Sequence, residues 1–107
     1  MKLTEITRLS DQALLTGLIR THILYHACKE PIFGLGMIEE LQRHGYKISA
    51  GTLYPMLHGL EKRGLLRSKK IRLGRRGRRV YRATPSGRSA LTRAREKVKL
   101  LLGELLE

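Results

Sequence analysis

Apolar residues recur at helical spacing over the first third of the chain and predict a long first helix. It is expected to run from about Ser10, whose hydroxyl suits an N-cap, to about Lys29, and Pro31 and Gly34 break the pattern after it. Its apolar residues lie on nearly every side of the helix: Leu14, Leu15, Leu18, Ile19, Ile23, Leu24 and Ala27. A helix of this kind is buried on more than one side.

Two shorter amphipathic helices follow the first one. One spans roughly residues 35–44, ahead of Gly45, and the other lies within "SAGTLYPMLHGLEKRGL" at residues 49–65. In the second of these, one apolar stripe is formed by positions i, i+4 and i+7, which are Leu53, Leu57 and Leu60. Two helices joined by a short connection predict a helix-turn-helix.

The third helix begins with residues that are poor helix formers. If Thr52 is its N-cap, Pro55 falls in the first turn, where a missing N–H costs nothing. If Ser49 is the N-cap, Pro55 is interior and removes the hydrogen bond to Gly51. We favour Ser49, which predicts a slightly distorted first turn with a low profile.

A β-hairpin is predicted next. Two short segments containing Ile71, Val80 and Tyr81 flank "LGRRGRR", and Gly74 and Gly77 are expected at the tip. A helix-turn-helix followed by such a hairpin has the element order of a winged helix.

A last helix is predicted from Thr84, as N-cap, and Pro85, at the first helical position. Its apolar residues follow the 3, 4, 3, 4 spacing of a heptad pattern: Leu91, Ala94, Val98, Leu101 and Leu105. The pattern covers only about two heptads, so packing on its own domain is the alternative. We favour a homodimer that also buries Leu15, Leu18 and Ile19 of the first helix.

The predicted fold is therefore mainly α with a small β-hairpin. Residues 1–107 form a single domain, with a winged helix-turn-helix at 10–84 and a C-terminal dimerisation helix at 85–107.

The net charge of the chain indicates the kind of partner that it binds. The chain of 107 residues has 22 Lys and Arg against 9 Asp and Glu, a net charge of +13, which predicts a polyanionic partner. No apolar run is long enough for a membrane span, and the N-terminus lacks the apolar core of a signal peptide, so a cytoplasmic protein without a membrane partner is expected.

The basic residues concentrate between Arg67 and Arg82, where no acidic residue interrupts them. A solvated surface is the alternative, but glycines in the hairpin favour close approach to phosphates. The residues expected to contact DNA here are Lys69, Lys70, Arg75, Arg76, Arg78 and Arg79. Since only 5% of residues are aromatic, double-stranded nucleic acid is a better match than a stacked single strand.

The third helix has an outer face opposite its leucine stripe. At about 100° per residue, the candidates for contact with base edges or phosphates are Ser49, Gly51, Thr52, Tyr54, Pro55, His58 and Lys62. For Tyr54 the alternative is a half-buried aromatic ring that braces the domain.

The string "GTLYPMLHGLEKRGLL", followed by "RRVYRATPSGRSAL", resembles the PadR-like family of bacterial transcriptional regulators. The resemblance covers roughly residues 20–91. It implies a dimeric winged helix-turn-helix regulator, expected to be a repressor that a small-molecule effector releases from double-stranded DNA. The spacing of His22 and His26 adds a metal as a second candidate effector. Winged helices that bind RNA or proteins remain the alternatives.

No catalytic constellation is recognisable, so an enzyme is not expected and no cofactor is required. His22 and His26 share a helix face and are candidate ligands for a divalent metal, with Cys28 or an acidic residue as a further ligand. Two interface histidines without metal, and a simply buried Cys28, are the alternatives.

Overall fold

The computed structural model describes the backbone of residues 3–107, and the side chains from Asp11 onward except that of Leu73. Its elements are α1 (Leu3–Lys29), α2 (Gly34–Arg43), α3 (Ala50–Lys62), β1 (Leu66–Leu73), β2 (Arg76–Ala83) and α4 (Pro85–Leu105). The mainly helical fold with one antiparallel hairpin, predicted from the sequence, is confirmed.

The first helix is longer than the sequence predicted. It begins at Leu3, so Ser10 lies inside α1 and is not its N-cap. The segment from Leu3 to Leu9 contains neither proline nor glycine, and nothing in it interrupts a helix. A residue with a capping side chain therefore does not mark the start of a helix when the residues before it can also be helical.

The ends of α2 and α3 follow the sequence signals closely. Gly45 and Gly64, which follow α2 and α3, adopt φ angles of 87° and 79°, the left-handed region that favours glycine at a helix end. Ser49 occupies the N-cap position of α3 with extended backbone, and Pro55 lies inside the helix. The favoured placement of the α3 start is thus confirmed.

The hairpin β1–β2, called the wing below, has longer strands and a tighter turn than predicted. The strands pair in register from Leu66 with Ala83 out to Leu73 with Arg76, which leaves only residues 74–75 for the turn. Gly74 has a φ of 64°, as the first position of a two-residue hairpin turn requires. The placement of Gly77 at the tip was wrong: it lies in β2, because the two-residue turn allows pairing to continue past it.

The wing is attached to the helices through its second strand. Ile32, between α1 and α2, exchanges two backbone hydrogen bonds with Tyr81 of β2, at 2.9 and 2.8 Å. The ring of Tyr81 is 1% exposed, and burial raises the pKa of its phenol. The base of the wing is thereby part of the core.

The predicted start of α4 is also confirmed. Thr84 is the N-cap, and its hydroxyl accepts a 3.0 Å hydrogen bond from the Gly87 N–H, with Pro85 at the first helical position. Gly87 is buried so closely against Leu65, the residue before β1, that a Cβ atom at Gly87 would overlap the Leu65 carbonyl oxygen. Only glycine allows α4 to begin at this distance from Leu65.

One hydrophobic core joins the helices to the base of the wing. Its fully buried side chains come from α1, α2, α3, β1 and β2: Ile23, Leu41, Leu53, Leu57, Leu66 and Tyr81. Over the described residues 3–107, no helix is long and apolar enough to cross a membrane.

Candidate nucleic-acid interface

The outer face of α3 comprises Ser49, Gly51, Thr52, Tyr54, Pro55, His58 and Lys62, and all seven residues are exposed. The opposite face is buried through Leu53, Met56, Leu57 and Leu60. Because the leucine stripe fixes the helix to the core, the small and polar side chains of the outer face point into solvent. This geometry allows α3 to enter a major groove.

The first turn of α3 begins without a side-chain cap. The Ser49 side chain makes no capping bond to the helix backbone and instead shares a 3.3 Å hydrogen bond with the Thr52 hydroxyl. The first N–H groups of a helix have no partner within the helix. Together with the helix dipole they form a site suited to a phosphate group.

Tyr54 has a structural contact as well as an exposed surface. Its ring is 42% exposed. A Cβ atom at Gly34, the first residue of α2, would lie only 2.5 Å from the Tyr54 hydroxyl oxygen. Tyr54 therefore braces α3 against α2, the alternative considered from the sequence, while part of its ring stays exposed beside the outer face.

All six basic wing residues predicted to contact DNA are exposed, but they do not share one face. From the strand register, Lys70 and Arg79 point to the same side as Ser68, whereas Lys69, Arg76 and Arg78 point to the opposite side. Arg75 lies in the turn. Arg72, which was not among the predicted contacts, shares the side of Lys70, and strand alternation could have identified it once the register was known.

The side of the wing that carries Ser68 is tied to α3. The Ser68 backbone N–H and hydroxyl both donate to one carboxylate oxygen of Glu61, at 2.7 and 2.6 Å. The Ser68 hydroxyl holds the pKa of Glu61 below its usual value. Arg79 also donates to the Ser68 hydroxyl, at 3.0 Å. These hydrogen bonds set the position of the wing relative to α3. The spacing of residues in the sequence did not predict them.

Two further wing residues have contacts within the chain. The Arg78 guanidinium stacks over the Phe33 ring, 4.6 Å from its centroid. The Lys70 side chain crosses β2 at Gly77, where a Cβ atom would lie 2.8 Å from Lys70 Cε. Arg78 thus holds the wing against Phe33, as Arg79 does against Ser68, in addition to presenting positive charge.

The predicted dimerisation residues divide into two groups. Side chains that stay exposed are 47–69% accessible: Leu15, Leu18, Val98, Leu101 and Leu105. Leu91 and Ala94 are half-buried within the chain. Ile19 is only 8% exposed and belongs to the core, so its burial needs no partner and its assignment to a dimer surface is corrected.

His22 and His26 come together with a third histidine that sequence spacing did not reveal. His44, at the end of α2, joins them, and one ring nitrogen from each lies within 4.8 Å of the others. Burial lowers the pKa of His22, and the neighbouring His44 and His26 lower it further. Cys28, proposed above as a further ligand, is not part of this cluster.

Comparisons with known proteins identify the family. Residues 23–93 match the family described as "Transcriptional regulator PadR-like family". Transcriptional regulator Rv3488 of Mycobacterium tuberculosis is 51% identical over 88 residues, 82% of either chain.

Solved structures agree with this match. A PadR family transcriptional regulator from Eggerthella lenta superposes with a TM-score of 0.76 at 32% identity, covering 99% of this chain and 98% of that one. A PadR-like transcriptional regulator from Bacillus cereus gives a TM-score of 0.73 at 25% identity, over 89% and 97% of the two chains. The chain therefore belongs to the PadR-like family of transcriptional regulators, and it is a DNA-binding regulator and not an enzyme, as the sequence predicted.

Proposed function

We propose that the protein is a dimeric repressor that binds a near-palindromic operator in the bacterial cytoplasm and is released by an effector. The observation that carries the proposal is the proximity of an exposed, low-profile helix face on α3 to a basic wing that is fixed to it through Glu61 and Ser68. A single rigid unit can then contact a major groove and the flanking backbone together.

The outer face of α3 supplies sequence readout in this proposal. Thr52 and His58 offer a hydroxyl and an imidazole to base edges, and Lys62 suits a phosphate. Gly51, Pro55 and Gly59 keep the surface of the helix low. The α3 N-terminus adds backbone donors for a second phosphate contact.

The wing supplies the positively charged side chains that bind the DNA backbone in this proposal. Lys70, Arg72 and Arg79 lie on the side tied to α3, and Arg75 extends from the turn. These four side chains are exposed and reach the DNA backbone or minor groove next to the helix.

A second copy of the chain is the proposed cover for the exposed leucines of α1 and α4. Contiguous exposed apolar side chains at this density are typical of an interaction surface. Because both terminal helices carry them, a two-fold arrangement can bury α4 of each copy against α1 of the other. The two α3 helices then enter major grooves about 34 Å apart.

An effector would bind between the terminal helices α1 and α4. A groove of about 440 Å³ lies between α1 and α4 and is lined by apolar residues that include Leu18, Tyr25, Val98 and Leu102. A ligand in this groove would change the angle between the terminal helices, and with it the spacing of the two α3 helices.

The test is a fluorescence anisotropy titration with duplex DNA from upstream of the gene itself. We expect nanomolar affinity, two chains per site and a steep dependence on salt. The matched control is a scrambled duplex of the same length and composition. Equal affinity for both duplexes at physiological salt would contradict a specific operator, and higher transcription from that promoter without the protein would support repression.

A further inference from the structure

We propose that His22, His26 and His44 form a binding site for a divalent transition metal of the zinc class, with Glu40 as the fourth ligand. One nitrogen from each histidine lies within 4.8 Å of the other two. The cluster joins α1, which carries His22 and His26, to the C-terminal end of α2, which carries Glu40 and precedes His44.

The carboxylate already faces two of the imidazoles. Glu40 Oε1 lies 3.6 Å from His26 Nε2 and 3.2 Å from His44 Nε2. The other oxygen, Oε2, accepts hydrogen bonds from the Arg43 guanidinium. These bonds orient the carboxylate with Oε1 toward the histidines. A ligand held in this way by an outer partner is typical of metal sites.

In the part of the chain that the structure describes, His22 has a buried nitrogen without a partner, which ion pairs between Glu40 and the other two histidines do not explain. Among the described side chains, its Nδ1 is buried and has no hydrogen-bond partner. A buried polar atom of this kind calls for a water molecule or an ion. Its ring lies 4.8 Å from the His44 ring and 6.2 Å from the His26 ring, centroid to centroid, so it is packed within the cluster.

The geometry needs only side-chain movement to bind a metal. Around a tetrahedral ion with Zn–N bonds of about 2.0–2.1 Å, ligand nitrogens are about 3.3 Å apart. The His44 side chain is 48% exposed and follows the last turn of α2, so its ring can rotate inward without disturbing the core. Three imidazoles and one carboxylate favour zinc and neighbouring transition metals over Mg²⁺ or Ca²⁺, which prefer oxygen ligands.

Metal binding would cross-link α1 to α2 immediately before the turn that leads to α3. If the proposed function is correct, the ion links α1, part of the proposed dimer surface, to the position of α3, which contacts DNA. The metal site itself does not depend on that function, because its ligands come from a single chain.

The test is calorimetric titration of the untagged full chain with ZnCl₂, together with the visible absorption spectrum of the Co²⁺ form. We expect one ion per chain and intense Co²⁺ bands of a tetrahedral site, without the near-ultraviolet band of a thiolate ligand. His22→Gln and His44→Gln should each weaken binding at least about tenfold. Circular dichroism and thermal melts establish that both variants fold.

His58→Gln is the matched control, because His58 is the one histidine of the four that lies outside the cluster, on the outer face of α3. It should bind Zn²⁺ like the wild type. Absence of saturable binding, equal binding by a folded His44→Gln variant, or a thiolate band from Cys28 would overturn the proposed ligand set. Since the readout is metal binding, failure to bind an operator would leave this result unaffected.

Discussion

The half of the molecule that we propose contacts DNA, α3 and the wing, differs from the half formed by the terminal helices in how completely its apolar side chains are buried. In α3 every leucine is buried, at 0–4% exposure, and the surface is polar or small. Among the described side chains of α1 and α4, seven leucines remain 47–71% exposed: Leu14, Leu15, Leu18, Leu100, Leu101, Leu102 and Leu105.

This difference indicates which part of the protein is complete in one chain. The α3 helix and the wing obtain their positions from internal contacts, through Tyr54 on Gly34 and Glu61 on Ser68. The terminal helices leave apolar surface in water, at a cost of about 25 cal/mol per Å². A second copy is therefore expected to complete the terminal half, and variants of each half should have different consequences.

The largest effect is expected from charges on the exposed leucines. Leu15→Glu and Leu101→Glu would bury a carboxylate in the dimer surface, and each should weaken self-association at least about 30-fold. Light scattering after size exclusion measures the oligomeric state. Leu35→Glu is the control, since Leu35 is 56% exposed and belongs to α2 and not to a terminal helix. Unchanged association of the first two variants would show that the exposed leucines have another partner.

A second prediction compares the two ends of α4. Gly87→Ala forces a Cβ atom onto the Leu65 carbonyl and should lower the free energy of unfolding by about 1–3 kcal/mol. Gly103→Ala, with no atom near its Cβ position, should raise it by about 0.5–1 kcal/mol through helix propensity. Denaturant unfolding measures both. Equal effects would mean that the start of α4 is not packed closely against Leu65.

A third prediction, for α3 and the wing, distinguishes contacts with phosphates from contacts with base edges. Lys70→Ala and Arg72→Ala should weaken binding to any duplex and lower the salt slope by about one each. Thr52→Ala should instead reduce discrimination against scrambled DNA, by about 1–3 kcal/mol, with little change in slope. Arg93→Ala, exposed on α4, is the control and should leave the slope unchanged. Anisotropy titrations over a salt series distinguish these results.

The smallest effect concerns the Glu61 contact with the wing. The folded state lowers the pKa of Glu61 below its usual value of 4.5, so its stabilising contribution is complete above that pH. The contribution is lost as the pH falls through the lowered pKa. Glu61→Gln should therefore flatten part of the acid decline in unfolding free energy, measured from about pH 7 to pH 3.

The control for this prediction is Glu39→Gln, on the exposed side of α2. Among the described side chains, Glu39 takes part in neither a hydrogen bond nor a salt bridge, whereas Glu61 accepts two hydrogen bonds from Ser68. An identical acid profile for Glu61→Gln and the wild type would mean that the contact does not hold the wing in solution.

Local signals predicted most of the fold. Thr84 with Pro85 marked the start of α4, and Gly45 and Gly64 marked two helix ends, because each of these residues acts on the backbone beside it. The errors also have local causes. Ser10 resembled an N-cap although the helix could continue through it, and Gly77 resembled a turn residue although Gly74 already provided the turn.

The spacing of Leu53, Leu57 and Leu60 was enough to predict the buried face of α3, because residues at this spacing lie on one side of a helix. The contacts between different elements became visible only in the folded chain. His44 joins His22 across two helices, and Glu61 reaches Ser68 across a turn. Periodicity specifies the orientation of a side chain on its own element, whereas contacts between elements depend on how the whole core packs.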